Sequence, residues 1–316
     1  MQQREEASSL PRAEDVHENG LSQSQAAGHN HQVEEDRDLL TIAQQEEIDS
    51  QIAASQPLVG PLEPPSMLLQ AYKDNPEKGF VEGVEDLARR YARMRRIRRD
   101  GNCFYRAFLF AYLAGLVEEG IEDGRKGEEK EGGGGKGRKR GRKKEWERFS
   151  QTVKDSKAWL LTVGYEEVAI DIFWEVFVEE LEALPHKSLS DLESTFNEPH
   201  GVASYMVWYC RLLTSGYLKK HKEEYEAFLD ASYRDMDDFC VREVEPTGKE
   251  CEQVQIMALV RALGVCVRIE YLDGRALPPG GQLPCHVLPD EWDGGKEEGV
   301  PVTLLYRPGH YDLLVK

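Results

Sequence analysis

Five stretches of the chain have the apolar spacing or the composition of α-helices. They cover residues 38–53, Val84–Met94, Tyr165–Leu184, Ser204–Lys219 and Val254–Leu263. The first carries a stripe of Leu39, Ile42, Ile48 and Ile52, which is the pattern of an amphipathic helix. Gly264 follows the last stretch and predicts the end of that helix, because glycine readily adopts the conformation found there.

Strand patterns are concentrated near the C-terminus. Residues 265–272, VCVRIEYL, place alternate apolar side chains on one face, and the turn Asp273–Gly274 follows. Residues 302–315 predict a hairpin, in which the strands VTLLY and YDLLV flank a Pro-Gly turn. Helices that precede a C-terminal run of strands predict an α+β domain.

Composition divides the chain into three parts, residues 1–36, 37–91 and 92–316. The first is polar and acidic and is predicted to be disordered. In the second, PLVGPLEPP at 57–65 breaks the helical pattern with four prolines and a glycine. The third contains the predicted compact domain, which therefore starts near residue 92.

Residues 120–144 form a low-complexity segment within the third part. An acidic stretch leads into four consecutive glycines and then into the basic sequence GKGRKRGRKK. Such a composition cannot bury a core, so the segment is predicted to be a disordered surface insertion. Its basic end also fits a nuclear-import signal, although a solvated spacer is the commoner meaning of this composition.

The formal net charge of -18 argues against general nucleic-acid binding, because a phosphate backbone would be repelled. No run of eighteen apolar residues is present, so no membrane span is expected. The N-terminal sequence has neither a secretory signal nor a transit peptide, which predicts a cytoplasmic or nuclear location. The protein is also expected to be a monomer.

The six cysteines form no CxxC pair, and no Cys/His group has zinc-finger spacing. No metal or other cofactor is predicted. In a reducing compartment most of these thiols are expected to be buried and to act as small hydrophobic side chains.

Cys103 lies in a different local sequence from the other cysteines. Asp100-Gly101-Asn102-Cys103 precedes the apolar run 104–116, which predicts a buried central helix with Cys103 at its N-terminus. Helix amides there favour the thiolate, and the backbone N–H groups of Gly101, Asn102 and Cys103 are a candidate oxyanion hole. Asp100 would cap the helix or hold this loop in shape. The alternative is a buried structural thiol beside a glycine turn.

A cysteine nucleophile needs a base and a group that orients the base. His310 follows the Pro-Gly turn and enters a strand, and Asp312 comes two residues later. Side chains on a strand repeat with period two, so both are predicted to project from the same face. The alternative is a turn histidine with a nearby solubilising carboxylate.

Four separated motifs resemble the otubains, the ubiquitin-specific branch of the ovarian-tumour cysteine proteases. They are DGNCFYRAF, RLLTSGYL, EVEP and LLYRPGHYDLL, and the resemblance extends upstream to IAQQEEIDSQIAASQPLVG. It implies a small central sheet between helical layers. It also implies an isopeptidase that cleaves polyubiquitin with a preference for lysine-48-linked chains, in which Cys103, His310 and an acidic partner are catalytic. The resemblance assigns an active-site role to Asp100, and Asp312 is kept beside it as the partner that orients His310.

The same resemblance implies contacts with two kinds of partner, ubiquitin and ubiquitin-conjugating enzymes. Residues 37–91 would include a ubiquitin-binding arm, and Tyr165–Phe173 and Ser204–Leu212 would face a conjugating enzyme. The side chains implied in ubiquitin binding are Leu39, Ile42, Ile48, Phe228, Leu229, Val244, Glu245 and His286. Two functions stay open at this point: a deubiquitinase, and a non-catalytic binder that restrains ubiquitin-charged conjugating enzymes.

Overall fold

The computed structural model describes Glu47, Gln51 and residues 55–118, 135–290 and 302–316, with side chains from residue 143 in the middle range. Residues from Ile52 onward form one compact unit. The predicted disordered segment 1–36 and most of the predicted helix 38–53 lie outside the described residues, as do residues 120–134 of the predicted insertion.

The helices follow one another from the N-terminal part of the unit to its last quarter. They are α1 Leu69–Tyr72, α2 Lys78–Arg90, α3 Cys103–Glu118, α4 Gly135–Thr162, α5 Glu167–Ala183, α6 Leu189–Asn197, α7 Val202–Lys220, α8 Lys222–Tyr225, α9 Met236–Phe239 and α10 Gln253–Leu263. Three 3-10 turns lie at Pro65–Leu68, Leu184–His186 and Glu226–Phe228, and Cys240–Val244 is a π-helical turn.

The strands are β1 Val59–Glu63, β2 Arg93–Ile97, β3 Val267–Tyr271, β4 Cys285–Leu288, β5 Val302–Arg307 and β6 His310–Val315. They form one sheet in the order β1-β2-β6-β5-β3-β4. Neighbouring strands are antiparallel except for β3 and β5, which are parallel. The predicted α+β class and the predicted C-terminal hairpin, β5–β6, are both confirmed.

Helical layers cover both faces of the sheet. On one face, α3 is apolar almost all round, and its buried side chains join Leu304 and Leu313 of the hairpin in the main core. On the other face, α2 packs its apolar side chains against Leu305 and Leu314 in a second cluster. Adjacent residues of each strand therefore enter different cores, as the two-residue period requires. The α3 helix, with Cys103 at its start, therefore lies in the main core.

The helix predicted over Val84–Met94 is placed differently in the structure. Helix α2 begins six residues earlier, and Met94 belongs to strand β2. The sequence of β2, RMRRI, is dominated by arginine, and its buried residues, Met94, Arg95 and Ile97, do not alternate with exposed ones. The sequence pattern does not predict strand β1, because Pro61 argues against a strand interior. Proline is tolerated there since β1 is at the edge of the sheet.

The insertion predicted for residues 120–144 ends earlier than its composition suggests. Helix α4 begins at Gly135, so the basic sequence before Trp146 is helical. Lysine and arginine have high helix propensity, and the helix continues from a packed portion that buries Phe149 and Val153. Among the described helices, none is long and apolar enough to cross a membrane.

Candidate active site

The nucleophile loop, residues 100–103, turns the chain sharply into α3. The carbonyl of Asn102 accepts the first helical bond from the N–H of Arg106 at 3.0 Å, which places Cys103 in the first turn. Gly101 has a φ of 72°, and a Cβ on it would lie 2.1 Å from the carbonyl oxygen of Gly248. Only glycine permits both this backbone conformation and this approach of two loops.

Asp100 holds the nucleophile loop rather than capping α3. Its Oδ1 accepts the N–H of Asn102 at 3.0 Å, and its two oxygens bind Nη1 and Nη2 of Arg106 at 2.9 and 2.7 Å. The amide of Asn102 is therefore engaged within the loop. This corrects the predicted oxyanion hole of three amides, and leaves the N–H groups of Gly101 and Cys103 as its candidates.

His310 and Asp312 form the predicted pair on one face of β6. Nε2 of His310 lies 2.8 Å from Oδ1 of Asp312, and both side chains are buried. Since an ionised carboxylate can only accept, Nε2 carries the proton and Nδ1 has a free lone pair in the neutral imidazole. Nδ1 is buried and has no hydrogen-bond partner among the described residues. The imidazole is thus oriented as a base.

Asp312 is bound by more groups than the sequence indicated. Its Oδ1 also accepts the N–H of Ile97 at 3.0 Å, while Oδ2 accepts from Nε and Nη2 of Arg307 at 2.9 and 2.6 Å. Burial acts to raise the pKa of Asp312, but the bond from His310 and the charge of Arg307 outweigh it and hold the pKa below its usual value. Arg307 lies directly opposite His310 in the β5–β6 hairpin. The two-residue turn between them sets this pairing, so the sequence could have indicated that Arg307 lies near the site.

The thiol of Cys103 lies beside the histidine strand. The N–H of Tyr311, the residue that follows His310, acts to lower the pKa of this thiol, and the rings of Phe104 and Tyr311 are 5.4 Å apart. Burial raises the pKa of the thiol to about 11, despite the opposing N–H groups of Tyr311 and Phe104. The expectation that the helix start favours the thiolate is therefore wrong for this resting state, because desolvation is the larger effect.

The residues implied in ubiquitin binding differ in how far their side chains are exposed. Phe228 is 71% exposed, and His286 is exposed on β4 with its ring 5.2 Å from that of Tyr271. Leu229 is partly buried against the cluster around Met236. Leu39, Ile42 and Ile48 lie outside the described residues.

Two of those residues are engaged inside the protein. Val244 is fully buried, and the carboxylate of Glu245 binds Tyr165, Ser215 and Lys219 at 2.7–2.8 Å. The side chain of Val244 cannot form an exposed contact surface, which corrects the prediction for that residue. Glu245 is 23% exposed, and its contact with ubiquitin stays a prediction. The charged sequence around Val244 concealed its burial.

A thiol at the start of a buried helix, beside the strand that carries an imidazole oriented by a buried carboxylate, defines a cysteine peptidase site in an α+β fold. The sequence profile of the family Peptidase C65 Otubain matches residues 51–316. The chain belongs to this otubain family of peptidases.

Relatives from animals and plants resemble the chain over nearly its whole length. Ubiquitin thioesterase OTUB1 of Homo sapiens is 35% identical over 276 residues, which cover 87% of this chain and 89% of the human protein. Ubiquitin thioesterase otubain-like of Caenorhabditis briggsae is 36% identical and covers 89% and 88% of the two chains. Ovarian tumor domain-containing deubiquitinating enzyme 1 of Arabidopsis thaliana is 31% identical over 284 residues, 87% of this chain and 86% of that protein.

Solved structures of h/ceOTUB1 have the same fold. Its complex with ubiquitin aldehyde and UBC13~Ub matches with a TM-score of 0.72 at 33% identity, over 88% of this chain and 98% of the solved one. A second complex, with UBCH5B~Ub in place of UBC13~Ub, matches with a TM-score of 0.72 at 32% identity, over 89% and 98%.

Proposed function

We propose that the protein is a deubiquitinase that hydrolyses isopeptide bonds in polyubiquitin and prefers lysine-48-linked chains. The family supports the substrate class, since the human and worm relatives are ubiquitin thioesterases and the solved complexes contain ubiquitin aldehyde. The observation that carries the proposal is the pairing of His310 with Asp312 at 2.8 Å, which leaves Nδ1 without a hydrogen-bond partner among the described residues.

The chemistry proceeds in two halves. Nδ1 of His310 takes the proton of the Cys103 thiol, and the sulfur attacks the carbonyl carbon of the isopeptide bond. The negative charge that develops on the carbonyl oxygen is stabilised by the N–H groups of Gly101 and Cys103. As the C–N bond breaks, His310 gives its proton to the departing lysine amine and a thioester remains. Water, deprotonated by His310, then hydrolyses the thioester and restores the thiol.

Ubiquitin must also change the state of the nucleophile. With a pKa of about 11, the thiol is protonated at neutral pH. The incoming chain would displace solvent, bring the carbonyl to the sulfur and draw the proton onto His310 in the same step. Deprotonation is therefore coupled to attack instead of preceding it.

A cleavage panel over all diubiquitin linkages tests this function, with wild type and Cys103→Ser assayed side by side. Wild type is expected to cleave the lysine-48-linked dimer fastest, and the serine variant is expected to be folded and inactive, because a hydroxyl is a far weaker nucleophile than a thiol. Activity of the serine variant would contradict the assignment of Cys103. Equal cleavage of all linkages would contradict the linkage preference alone.

A second function is favoured by one surface. Val168 and Ile172 of α5 and Tyr205 and Trp208 of α7 are exposed apolar side chains, and the ring of Phe173 lies 5.0 Å from that of Trp208. Grouped exposed apolar side chains mark interaction sites. The matched OTUB1 structures include UBC13~Ub and UBCH5B~Ub. We therefore propose that this surface binds a ubiquitin-charged conjugating enzyme and restrains transfer.

Discharge of ubiquitin from a charged conjugating enzyme separates the two functions. Cys103→Ala should lose chain cleavage and still slow discharge, whereas Trp208→Asp should cleave diubiquitin normally and no longer slow discharge. Val241→Asp is a matched control, because Val241 is also an exposed apolar residue but lies on a different element. Restraint that survives Trp208→Asp would contradict this second function.

A further inference from the structure

Arg211, in the middle of α7, is fully buried beneath the nucleophile loop. Its Nη2 donates to the carbonyl of Gly101 at 2.9 Å and to Oδ1 of Asn102 at 2.8 Å, and its Nε reaches the same Oδ1 at 3.1 Å. The guanidinium carbon lies 4.6 Å from the ring centre of Tyr105, the second residue after Cys103. One side chain thus holds both residues that precede the nucleophile.

The same guanidinium holds the loop that faces the nucleophile loop. Nη1 donates to the carbonyl of Val244 at 3.0 Å, and Nη2 donates to the carbonyl of Lys249 at 2.7 Å. Gly248 of this facing loop is the residue against which Gly101 packs. Arg211 therefore joins two loops that also meet through the backbones of Gly101 and Gly248 and through Oδ1 of Asn102, which accepts the N–H of Gly248 at 3.4 Å.

Arg211 differs from two other arginines of the site in what it binds. Arg106 pairs with Asp100 and Arg307 pairs with Asp312, but within the described ranges no carboxylate pairs with Arg211. Burying a cation without a counter-ion is costly, and neutral acceptors offset only part of that cost. We therefore expect the buried charge of Arg211 to fix the positions of the groups that it binds. It should also make the electrostatic potential at the nucleophile loop more positive.

The peptide between Gly101 and Asn102 is fixed at both ends. Arg211 holds its carbonyl oxygen, and Asp100 holds its N–H at 3.0 Å. A peptide plane fixed in this way sets the directions of the adjacent N–H groups, those of Gly101 and Cys103. These two N–H groups are the candidate donors of the oxyanion hole. They stabilise the oxyanion most effectively when they already point toward its position before the negative charge develops.

We propose that Arg211 is a positioning residue for the oxyanion hole, acting through Gly101 and Asn102 and linking their loop to residues 244–249. It touches neither substrate nor sulfur. The inference rests on the proposed hydrolase function, because only a reaction that develops an oxyanion uses this hole. A purely structural arginine would affect stability without distinguishing between reactions that form an oxyanion and reactions that do not.

Two reactions of the same thiol separate these roles. Hydrolysis of a fluorogenic C-terminal ubiquitin substrate forms an oxyanion, whereas alkylation of Cys103 by iodoacetamide does not. Arg211→Lys is expected to lower kcat by about 100-fold with KM within about twofold, as for loss of one oxyanion donor. Its alkylation rate at the same pH is expected to stay within about twofold of wild type.

Arg95→Lys is the matched control. Arg95 is also buried and donates to the carbonyl of Gly60 at 2.9 Å, but it pairs with Glu193 away from the nucleophile loop. Its lysine variant is expected to have a lower Tm with unchanged kcat and alkylation. If Arg211→Lys does not fold, Asn102→Ala decides, since it removes two of the bonds of Arg211 and should lower kcat by about tenfold with unchanged alkylation.

Two results would overturn the inference and leave the proposed function standing. One is a kcat of the folded Arg211 or Asn102 variant equal to that of wild type. The other is an equal fall in hydrolysis and alkylation, which would mean that the variant disturbs the thiol itself. Wild type that fails to hydrolyse the substrate would remove the proposed function, and the inference would fall with it.

Discussion

Arg307 holds one oxygen of Asp312 and leaves the other to the catalytic base. Its Nη2 lies 2.6 Å from Oδ2, while Oδ1 accepts from His310 and from the N–H of Ile97. The carboxylate is fully buried and ionised, with its pKa held below the usual value. A buried charge in this arrangement depends on every one of its donors.

Replacement of Arg307 tests that dependence. Arg307→Gln leaves the buried carboxylate of Asp312 without its cation, and breaking a buried pair from one side costs about 3–5 kcal/mol of unfolding free energy. The loss is expected in denaturant unfolding at pH 7. Arg89→Gln is the control, because Arg89 is 64% exposed and its partner Asp86 is also held by Arg90, so a change below about 1 kcal/mol is expected.

The same variant has a predictable dependence on pH. Because the native pKa of Asp312 is lowered, its contribution to stability is present above the unfolded pKa and is lost as pH falls through the native pKa. The stability difference between wild type and Arg307→Gln should therefore shrink in acid. The acid limb of kcat/KM should move to higher pH in the variant, since Asp312 is then protonated more easily. A constant difference from pH 7 down to pH 3 would contradict the role of this pair.

Replacement of His310 is expected to lower kcat more than replacement of Asp312. His310→Ala should lower kcat nearly as much as loss of Cys103, because thiol and base act as one unit. Asp312→Ala should be less harmful, since a misoriented imidazole still samples the working tautomer. Steady-state hydrolysis of a C-terminal ubiquitin substrate measures both. An inactive Asp100→Ala beside a fully active Asp312→Ala would show that Asp312 is not the orienting carboxylate.

The resting thiol should respond to pH as a protonated group. With a pKa of about 11, the alkylation rate of Cys103 is expected to rise roughly tenfold per pH unit from pH 7 toward pH 10. Mass spectrometry of the Cys103 peptide follows the reaction, and exposed Cys285 provides an internal reference. A plateau that begins below pH 7 would instead show a thiolate–imidazolium pair in the free protein.

Gly101 is expected to tolerate no side chain. Gly101→Ala would place a Cβ 2.1 Å from the carbonyl oxygen of Gly248 in a left-handed backbone conformation, so the loop must shift. We expect kcat to fall by at least about 100-fold, because the donor N–H groups would no longer point toward the oxyanion. Gly115→Ala is the control within α3, because no atom lies within 4 Å of its added Cβ. It should keep full activity and gain about 0.5–1 kcal/mol of stability.

The parts of the site that sequence could predict are local. The apolar run after Cys103 requires a buried helix, and the two-residue spacing of His310 and Asp312 on a strand places them on one face. The other ligands of Asp312 are not local, since Ile97 lies 215 residues away and is brought close by the sheet. Arg211 reaches the nucleophile loop across 109 residues of sequence, and no periodicity indicates that contact.

The errors in the fold have the same origin. The edge position of β1 makes Pro61 acceptable, but an edge is a property of the assembled sheet and not of the segment. The raised pKa of Cys103 likewise results from the tertiary burial of the helix start, whereas the local sequence shows only the helix N-terminus. Patterns within a segment predict its element, and packing decides the environment of its side chains.

Labelling by ubiquitin that carries a C-terminal electrophile tests the central claim most directly, because the reaction needs both ubiquitin recognition and a competent nucleophile. Wild type should gain the mass of one ubiquitin, and peptide mapping should place the adduct on Cys103 with the other five cysteines unmodified. His310→Ala should react far more slowly. An adduct on another cysteine, or no adduct on a folded wild-type protein, would contradict the account.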